Sequence, residues 1–274
     1  MLSAMSTSPK QAARSAKNST AMHVLARSGF AASGLLHIII GSIAIALATG
    51  SGSGKEADQS GALAQLKEMP GGLVLLWAAV VGFAALGAWL LLSAFLDRSW
   101  AGKRSRAAHA AESIGKGVVY LVLAFTAFVV AMGDSPSSAQ STSKLSGALM
   151  ATPGGVFVVV AIGLALLAVA GYMVFKGASK RFERDIRLPS PPADGAVRML
   201  GILGYAARGI ALGAVGVLFI VAAATHDASK AGGLDAALTS FVSLPFGVAV
   251  LIVIGAGWIA FGIYAFFRAR LARL

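Results

Sequence analysis

The chain has 274 residues, 57% of them hydrophobic and only 12% charged, with a net charge of +12 and no cysteine. A soluble domain carries about 25% charged residues, so half of the usual polar surface is missing. Disulfides, thiolate metal sites and cysteine nucleophiles are excluded.

In chain order, residues 1–24 form a Ser/Ala/Thr-rich stretch bearing Lys10, Arg14 and Lys17. No short apolar core with a small-residue cleavage pattern follows, so this reads as a disordered basic tail with affinity for anionic lipid, not a signal peptide. Residues 25–97 hold two apolar runs, 29–49 and 72–96; a basic linker spans 98–110. Residues 111–182 hold the runs 114–132 and 154–175; a second linker spans 183–202. Residues 203–274 hold the runs 205–225 and 245–267. Each run has the length of about 20 residues that a helix needs to cross about 30 Å of hydrocarbon. None alternates with period two, so helices and not a barrel satisfy the backbone.

The six runs are one unit written three times. Gly34, Gly117 and Gly209 each precede a proline (Pro70, Pro153 and Pro245) by 36 residues. The first helices open Phe30-Ala-Ala-Ser-Gly34-Leu-Leu-His37, Ser113-Ile-Gly-Lys-Gly117-Val-Val-Tyr120 and Tyr205-Ala-Ala-Arg-Gly209-Ile-Ala-Leu212. Gly41, Ala124 and Gly216 follow at equivalent positions, as do Trp89, Tyr172 and Tyr264 in the second helices. Small residues let membrane helices approach closely, and Gly29-xxx-Ser33 and Gly209-xxx-Gly213 read as small-xxx-small contacts. Proline suits the first turn of a helix, which makes Pro70, Pro153 and Pro245 starts of the second helices. The short segments around 61–66, 146–149 and 235–238 read as amphipathic helices at the outer face, capped by Ser60, Ser146 or Asp235. The aromatic residues of the second helices read as interfacial anchors or as packing residues. Two spans per unit give every unit the same orientation. The fold class is therefore all-α integral membrane: six transmembrane helices as three parallel two-helix repeats around a pseudo-threefold axis.

Orientation follows from charge. The termini and the two loops between repeats carry nineteen Lys and Arg, whereas the loops inside the repeats carry only Lys55, Lys67, Lys144 and Lys230. That asymmetry places both termini in the cytoplasm, across a bacterial cytoplasmic membrane. It also accounts for the positive charge without a nucleic-acid partner.

The motifs "ARSGFAASGLLHIIIG" and "LGYAARGIALGAVG", with the Pro-Gly-Gly or Pro-Phe-Gly starts, resemble a bacterial membrane family in which a two-helix domain occurs three times in tandem. This is the domain-of-unknown-function family numbered 1206. The resemblance covers about residues 25–274. It implies the architecture and no activity. The middle repeat departs most, with Ser113 where the others have Phe30 and Tyr205.

Ionisable residues inside a membrane are functional candidates. Ser33, Lys116 and Arg208 occupy one repeat position, with Arg27 nearby. They either build an anion or headgroup site or snorkel to the interface. His37, aligned with Tyr120 and Leu212, is a relay or haem ligand on one reading and a histidine hydrogen-bonded to an adjacent helix on the other. The candidate ligand-binding residues are thus Arg27, Ser33, His37, Lys116, Tyr120 and Arg208. The candidate packing residues are Gly34, Gly41, Gly117, Gly209, Gly213 and Gly216. No carboxylate falls inside a span, which weighs against cation-coupled transport. No phosphate loop, dinucleotide fingerprint or metal motif is present, so no cofactor or metal is expected. The sequence points to a non-enzymatic accessory or scaffold subunit, or a bundle binding lipid or an apolar ligand. Its partners are membrane lipids and another membrane protein or complex. The alternative is a channel or carrier with an anion-favouring path on the axis.

Overall fold

A computed structural model of the chain describes residues 19–51, 54–96, 103–186 and 193–271. The tail's Lys10, Arg14 and Lys17 lie outside them. The described residues are helical: α1 (Thr20–Ala48), α2 (Gln59–Glu68), α3 (Gly72–Leu96), α4 (Lys103–Met132), α5 (Ser138–Met150), α6 (Gly155–Ala178), α7 (Ala193–Thr225), α8 (Gly233–Val242) and α9 (Gly247–Leu271). One 3-10 turn, Arg181–Asp185, follows α6, and another, Ala228–Lys230, follows α7. α1, α3, α4, α6, α7 and α9 are long and apolar enough to cross a membrane. α4 and α7 begin well before their apolar runs, inside the segments expected as linkers. The helix therefore continues past the hydrocarbon into the polar region.

The second helix of each repeat packs on the first helix of the next, and the last pairs with the first: α3 on α4, α6 on α7, α9 on α1. Glycines make each seam. A methyl group built on Gly41 would come within 2.5 Å of the Gly255 carbonyl, and one on Gly255 within 2.7 Å of the Gly41 carbonyl. Seven residues along, Gly34 and Gly262 face each other in the same reciprocal way, at 2.8 and 2.6 Å. Gly163 and Gly216 repeat the contact between α6 and α7 at 2.8 and 2.9 Å, and Gly87 and Gly117 between α3 and α4 at 3.0 and 3.2 Å. Such approach brings Cα–H groups against carbonyl oxygens. Gly209 meets the Ala170 carbonyl at 2.9 Å, but a methyl on Gly213 would touch only Ala170 Cβ at 3.7 Å, an ordinary contact. Gly209 therefore pairs along its helix with Gly216, not with Gly213 as expected: the contact line follows a spacing of seven.

The prolines sit two residues before the helices instead of within them. Gly72, Gly155 and Gly247 each donate a backbone hydrogen bond to the residue three earlier, at 2.8, 2.9 and 2.9 Å. The third residue of each turn, Gly71, Gly154 or Phe246, has φ of +73°, +79° or +62°. Proline second and a left-handed residue third is the pattern of a type II turn. A side chain on the following glycine would run into the carbonyl of Leu66, Leu149 or Phe241.

α2, α5 and α8 form a layer over this proline-turn end, tied repeat to repeat. Ser138 N donates to Ser60 Oγ at 3.1 Å, Ser143 Oγ to the Ala228 carbonyl at 2.8 Å, and Ala57 N to Asp235 Oδ1 at 2.7 Å. The caps are Asp58 for α2 and Ser137 for α5, while Gly232 opens α8 without a side-chain cap. Ser60, Ser146 and Asp235 are not caps, because each helix starts earlier than its apolar pattern.

Within a repeat the pairing is unequal. α1 packs on α3 and α7 on α9, but among the described residues α4 and α6 scarcely touch. Buried residues make up 22% of the apolar stretch of α4 and 17% of that of α6, against 39% or more in the other four spans.

Candidate functional site

Polar and charged side chains gather at the basic end of the bundle, opposite the proline turns. At 1.5 Å per residue, Arg208 lies about 25 Å from the outer end of α7. Lys176 and Arg268 lie about 31 Å from the outer ends of α6 and α9. Against a bilayer core of about 30 Å, Lys176 and Arg268 reach headgroup depth and Arg208 lies just inside the hydrocarbon edge.

An aromatic cluster supports them. Phe261 lies 5.3 Å from Tyr205 and 5.7 Å from Tyr264, and Phe182 lies 5.6 Å from Tyr205 and 5.4 Å from Tyr264, ring centre to ring centre. Cations ride on these rings. The Arg208 guanidinium sits 4.3 Å from the centre of Phe261, Lys176 Nζ 5.5 Å from Tyr205, and the Arg268 guanidinium 4.6 Å from Phe30. Contacts of this kind contribute about 0.5–2 kcal/mol each, more when desolvated.

Carboxylates answer only some of these cations. Lys176 pairs with Asp185 at 2.7 Å, Lys116 pairs with Glu112, and Arg198 bridges Glu183 and Asp194 at 3.1 Å each. Burial alone would push the Asp185 carboxyl up, but Arg268 and Lys176 outweigh it and hold the group below the usual carboxylate range. Among the described residues neither Arg208 nor Arg268 has a carboxylate within ion-pair distance, and the buried Arg268 Nε has no hydrogen-bond acceptor. A buried donor left unmade costs about 1–3 kcal/mol, more when charged.

Of the residues singled out in the sequence, the structure joins some and separates others. Arg208 is central. His37 lies about one turn deeper, 4.9 Å from Phe261 and 5.1 Å from Trp258, so Phe261 separates it from Arg208. Its Nδ1 bonds the Ser33 carbonyl of its own helix at 2.5 Å, not an adjacent helix as expected. Its Nε2 is buried without a partner. Ser33 is buried beside it, its Oγ 3.5 Å from Nδ1. Tyr120 stacks on Phe83 at 5.9 Å and stands within electrostatic reach of both arginines. Lys116 faces Glu112 and stays well exposed, and Arg27 is exposed on α1. The three equivalent aromatics divide likewise: Tyr264 is fully buried while Tyr172 is 45% exposed, a core residue and a surface one at the same repeat position.

Lys176 and Arg268 count in the sequence only as orientation charges. A signal for them was present, because Ser93, Lys176 and Arg268 occupy one repeat position, as do Ser33, Lys116 and Arg208. Both sets run serine, lysine, arginine through the three repeats. Among the described residues no group of three or more His, Asp or Glu side chains is placed to hold a metal ion.

The model of the family described as Domain of Unknown Function (DUF1206) matches three times, over residues 28–97, 111–180 and 203–272. The chain belongs to the DUF1206 family. An uncharacterized protein of Bacillus subtilis (strain 168), YxxB, is 30% identical over 249 residues, covering 88% of each chain. No solved structure matches. The three DUF1206 matches cover the three helix pairs, so each seam with reciprocal close contacts joins two different domains of the family, successive ones or the last and the first.

Proposed function

We infer that this DUF1206 protein is a non-enzymatic bundle of the bacterial cytoplasmic membrane, its termini and basic loops in the cytoplasm. It holds an anionic lipid at its basic end and serves as an accessory or scaffolding component. One observation supports the reading: two guanidiniums rest on aromatic faces at the basic end, neither with a carboxylate of the described residues within ion-pair distance. Arginine is suited to phosphate because its planar fork matches phosphate oxygens. An anion-conducting path draws support from the same cations. Against it stands the apolar core nearer the outer end, where Leu36, Ile40, Ile43, Phe83, Ala127, Leu251 and Ile254 pack together from α1, α3, α4 and α9.

Native mass spectrometry of protein extracted gently from bacterial membranes tests the lipid reading. It should reveal a retained anionic phospholipid that exchange into phosphatidylcholine does not replace. Equal retention of phosphatidylcholine would refute it. Orientation has its own test: reporters fused after Arg106 and after Lys144 should report opposite sides of the membrane, cytoplasm for the first. Identical sides would remove the topology.

A further inference from the structure

The opening between α4 and α6 is written into the middle repeat. In repeat 1, Gly29 and Gly82 bring α1 and α3 together, Gly29 against the Gly82 carbonyl. In repeat 3, the equivalent Gly204 meets Phe261 Cβ at 2.6 Å, and Gly257 meets Ala207 Cβ. In repeat 2 the positions of those two glycines are Glu112 and Ala165. A carboxylate ion-paired to Lys116 stands where the other repeats have only a hydrogen atom. Gly115, the counterpart of Ala207, has no neighbouring atom within 4 Å where a methyl group would be. That α4 and α6 scarcely touch among the described residues is therefore accounted for by two side chains.

The flanks of this opening suit one kind of occupant. The facing positions are apolar and exposed: Val119 and Val122 on α4 are 57% and 58% exposed and Val169 on α6 is 49%, whereas their repeat-1 counterparts Leu36, Ile39 and Leu86 are buried. At the basic end, Lys116 and Lys176 flank it. Behind them lies Arg268, whose electrostatic neighbours include Tyr120 of α4 and Asp185 just after α6. Lys116 and Lys176 are each paired with a carboxylate, Glu112 and Asp185, so the charge without an ion pair at the end of these apolar walls is Arg268, and the arrangement matches an anionic phospholipid.

We propose that the opening between α4 and α6 is a lateral lipid site: the phosphate of an anionic glycerophospholipid meets Arg268 and Lys116, and its acyl chains lie between the two helices. This rests on the lipid reading above and adds where the chains go. Polar contacts at the headgroup then replace the missing acceptor of Arg268 Nε. The other two repeats have no such site, because their glycines close the seam.

Phosphatidylglycerol bearing a diazirine in its acyl chain, reconstituted with the full chain in nanodiscs, tests this. Labelling should concentrate on α4 and α6 and exceed that from the matching phosphatidylcholine probe. The double substitution Glu112→Gly with Ala165→Gly, which recreates the glycine pair of repeats 1 and 3, should bring it down to the phosphatidylcholine level. Gly115→Phe, at a position where a Cβ meets no atom within 4 Å, should do the same and serves if the double variant does not accumulate. Label spread over α3 and α9, or unchanged by both variants, overturns the site. The lipid reading would survive that result if Arg268→Ser still abolished phosphatidylglycerol retention. Protection by millimolar inorganic phosphate equal to that by phosphatidylglycerol would show a soluble-anion site. A cross-linked pair of protomers joined through α4 and α6 would show that a second copy fills the opening. Either result refutes the proposal.

Discussion

The proline-turn and basic ends of this bundle are made from the same three repeats and behave differently. At the proline-turn end the repeats agree. Each has a proline turn with a left-handed third residue, a glycine that admits no side chain, and a short helix tied to another repeat. At the basic end they disagree: serine, lysine and arginine share a position twice over, and glutamate replaces glycine in the middle repeat. Where the copies agree, the residue holds backbones together. Where they diverge, a threefold-repeated scaffold acquires one distinct region.

The largest effect is expected at a seam between repeats. Gly41→Leu pushes a side chain into the α9 backbone and should cost about 3 kcal/mol, at the upper end for overpacking; thermal unfolding in detergent reads it. Gly209→Leu should cost less, about 1–3 kcal/mol, because the closest atom it meets is the movable Val174 side chain. Gly213→Ala should be nearly neutral. A Gly41→Leu protein as stable as wild type would mean that the repeated glycines do not hold the seams.

A smaller effect is expected at Phe246, the one non-glycine at its turn position and 85% exposed. Phe246→Gly relieves left-handed strain of about 1–2 kcal/mol against a glycine entropy cost of about 0.5–1 kcal/mol. The net gain should be about 0.5–1 kcal/mol. A lower melting temperature instead would show that the ring anchors the outer interface.

The smallest effect concerns pH. Burial raises the Asp58 carboxyl, against hydrogen bonds from Ser60 and Gly61 and with help from Glu56 and Asp235; burial likewise raises Asp235. A carboxylate raised in the folded state binds more protons there than in the unfolded chain, so stability falls as pH climbs from about 4 through the raised value. The layer of short helices should therefore tighten between pH 7 and 4, seen as greater protection of the Ala57 and Ser138 amides relative to their intrinsic exchange rate at each pH. Asp58→Asn should flatten that slope. A slope of opposite sign would place the charged form as the better-held one.

Much of this fold was legible in the sequence because membrane helices announce themselves by length and the repeat by identical spacings. Gly34, Gly41, Gly117 and Gly216 were recognisable as contacts from repetition alone. Gly213 misled because a small residue four along a helix satisfies the pattern whether or not a partner faces it. The prolines misled by two residues, since a type II turn and a first helical turn both accept proline. Of the site, Arg208 was visible as an intramembrane charge. Arg268 and Lys176 were hidden among orientation charges, because their burial depends on α1, α7 and the Arg181–Asp185 turn folding around them. The α4–α6 opening was present in the sequence as Glu112 and Ala165, but only the paired seams of the other repeats give those two residues their meaning.

The most direct test of the account uses the molecule's own repeat as its control. Arg208→Ser with Arg268→Ser gives repeat 3 the residues that repeat 1 carries at Ser33 and Ser93. Thermal unfolding is then measured with phosphatidylcholine and with phosphatidylglycerol. A ligand at a hundredfold excess over Kd stabilises by about 2.7 kcal/mol, and wild type should show a gain of that order with phosphatidylglycerol only. The double variant should lose about 1–4 kcal/mol in phosphatidylcholine with its two cation–π contacts and show no further gain with phosphatidylglycerol. A folded variant that keeps the full phosphatidylglycerol gain would contradict the claim that the diverged basic end binds an anionic lipid.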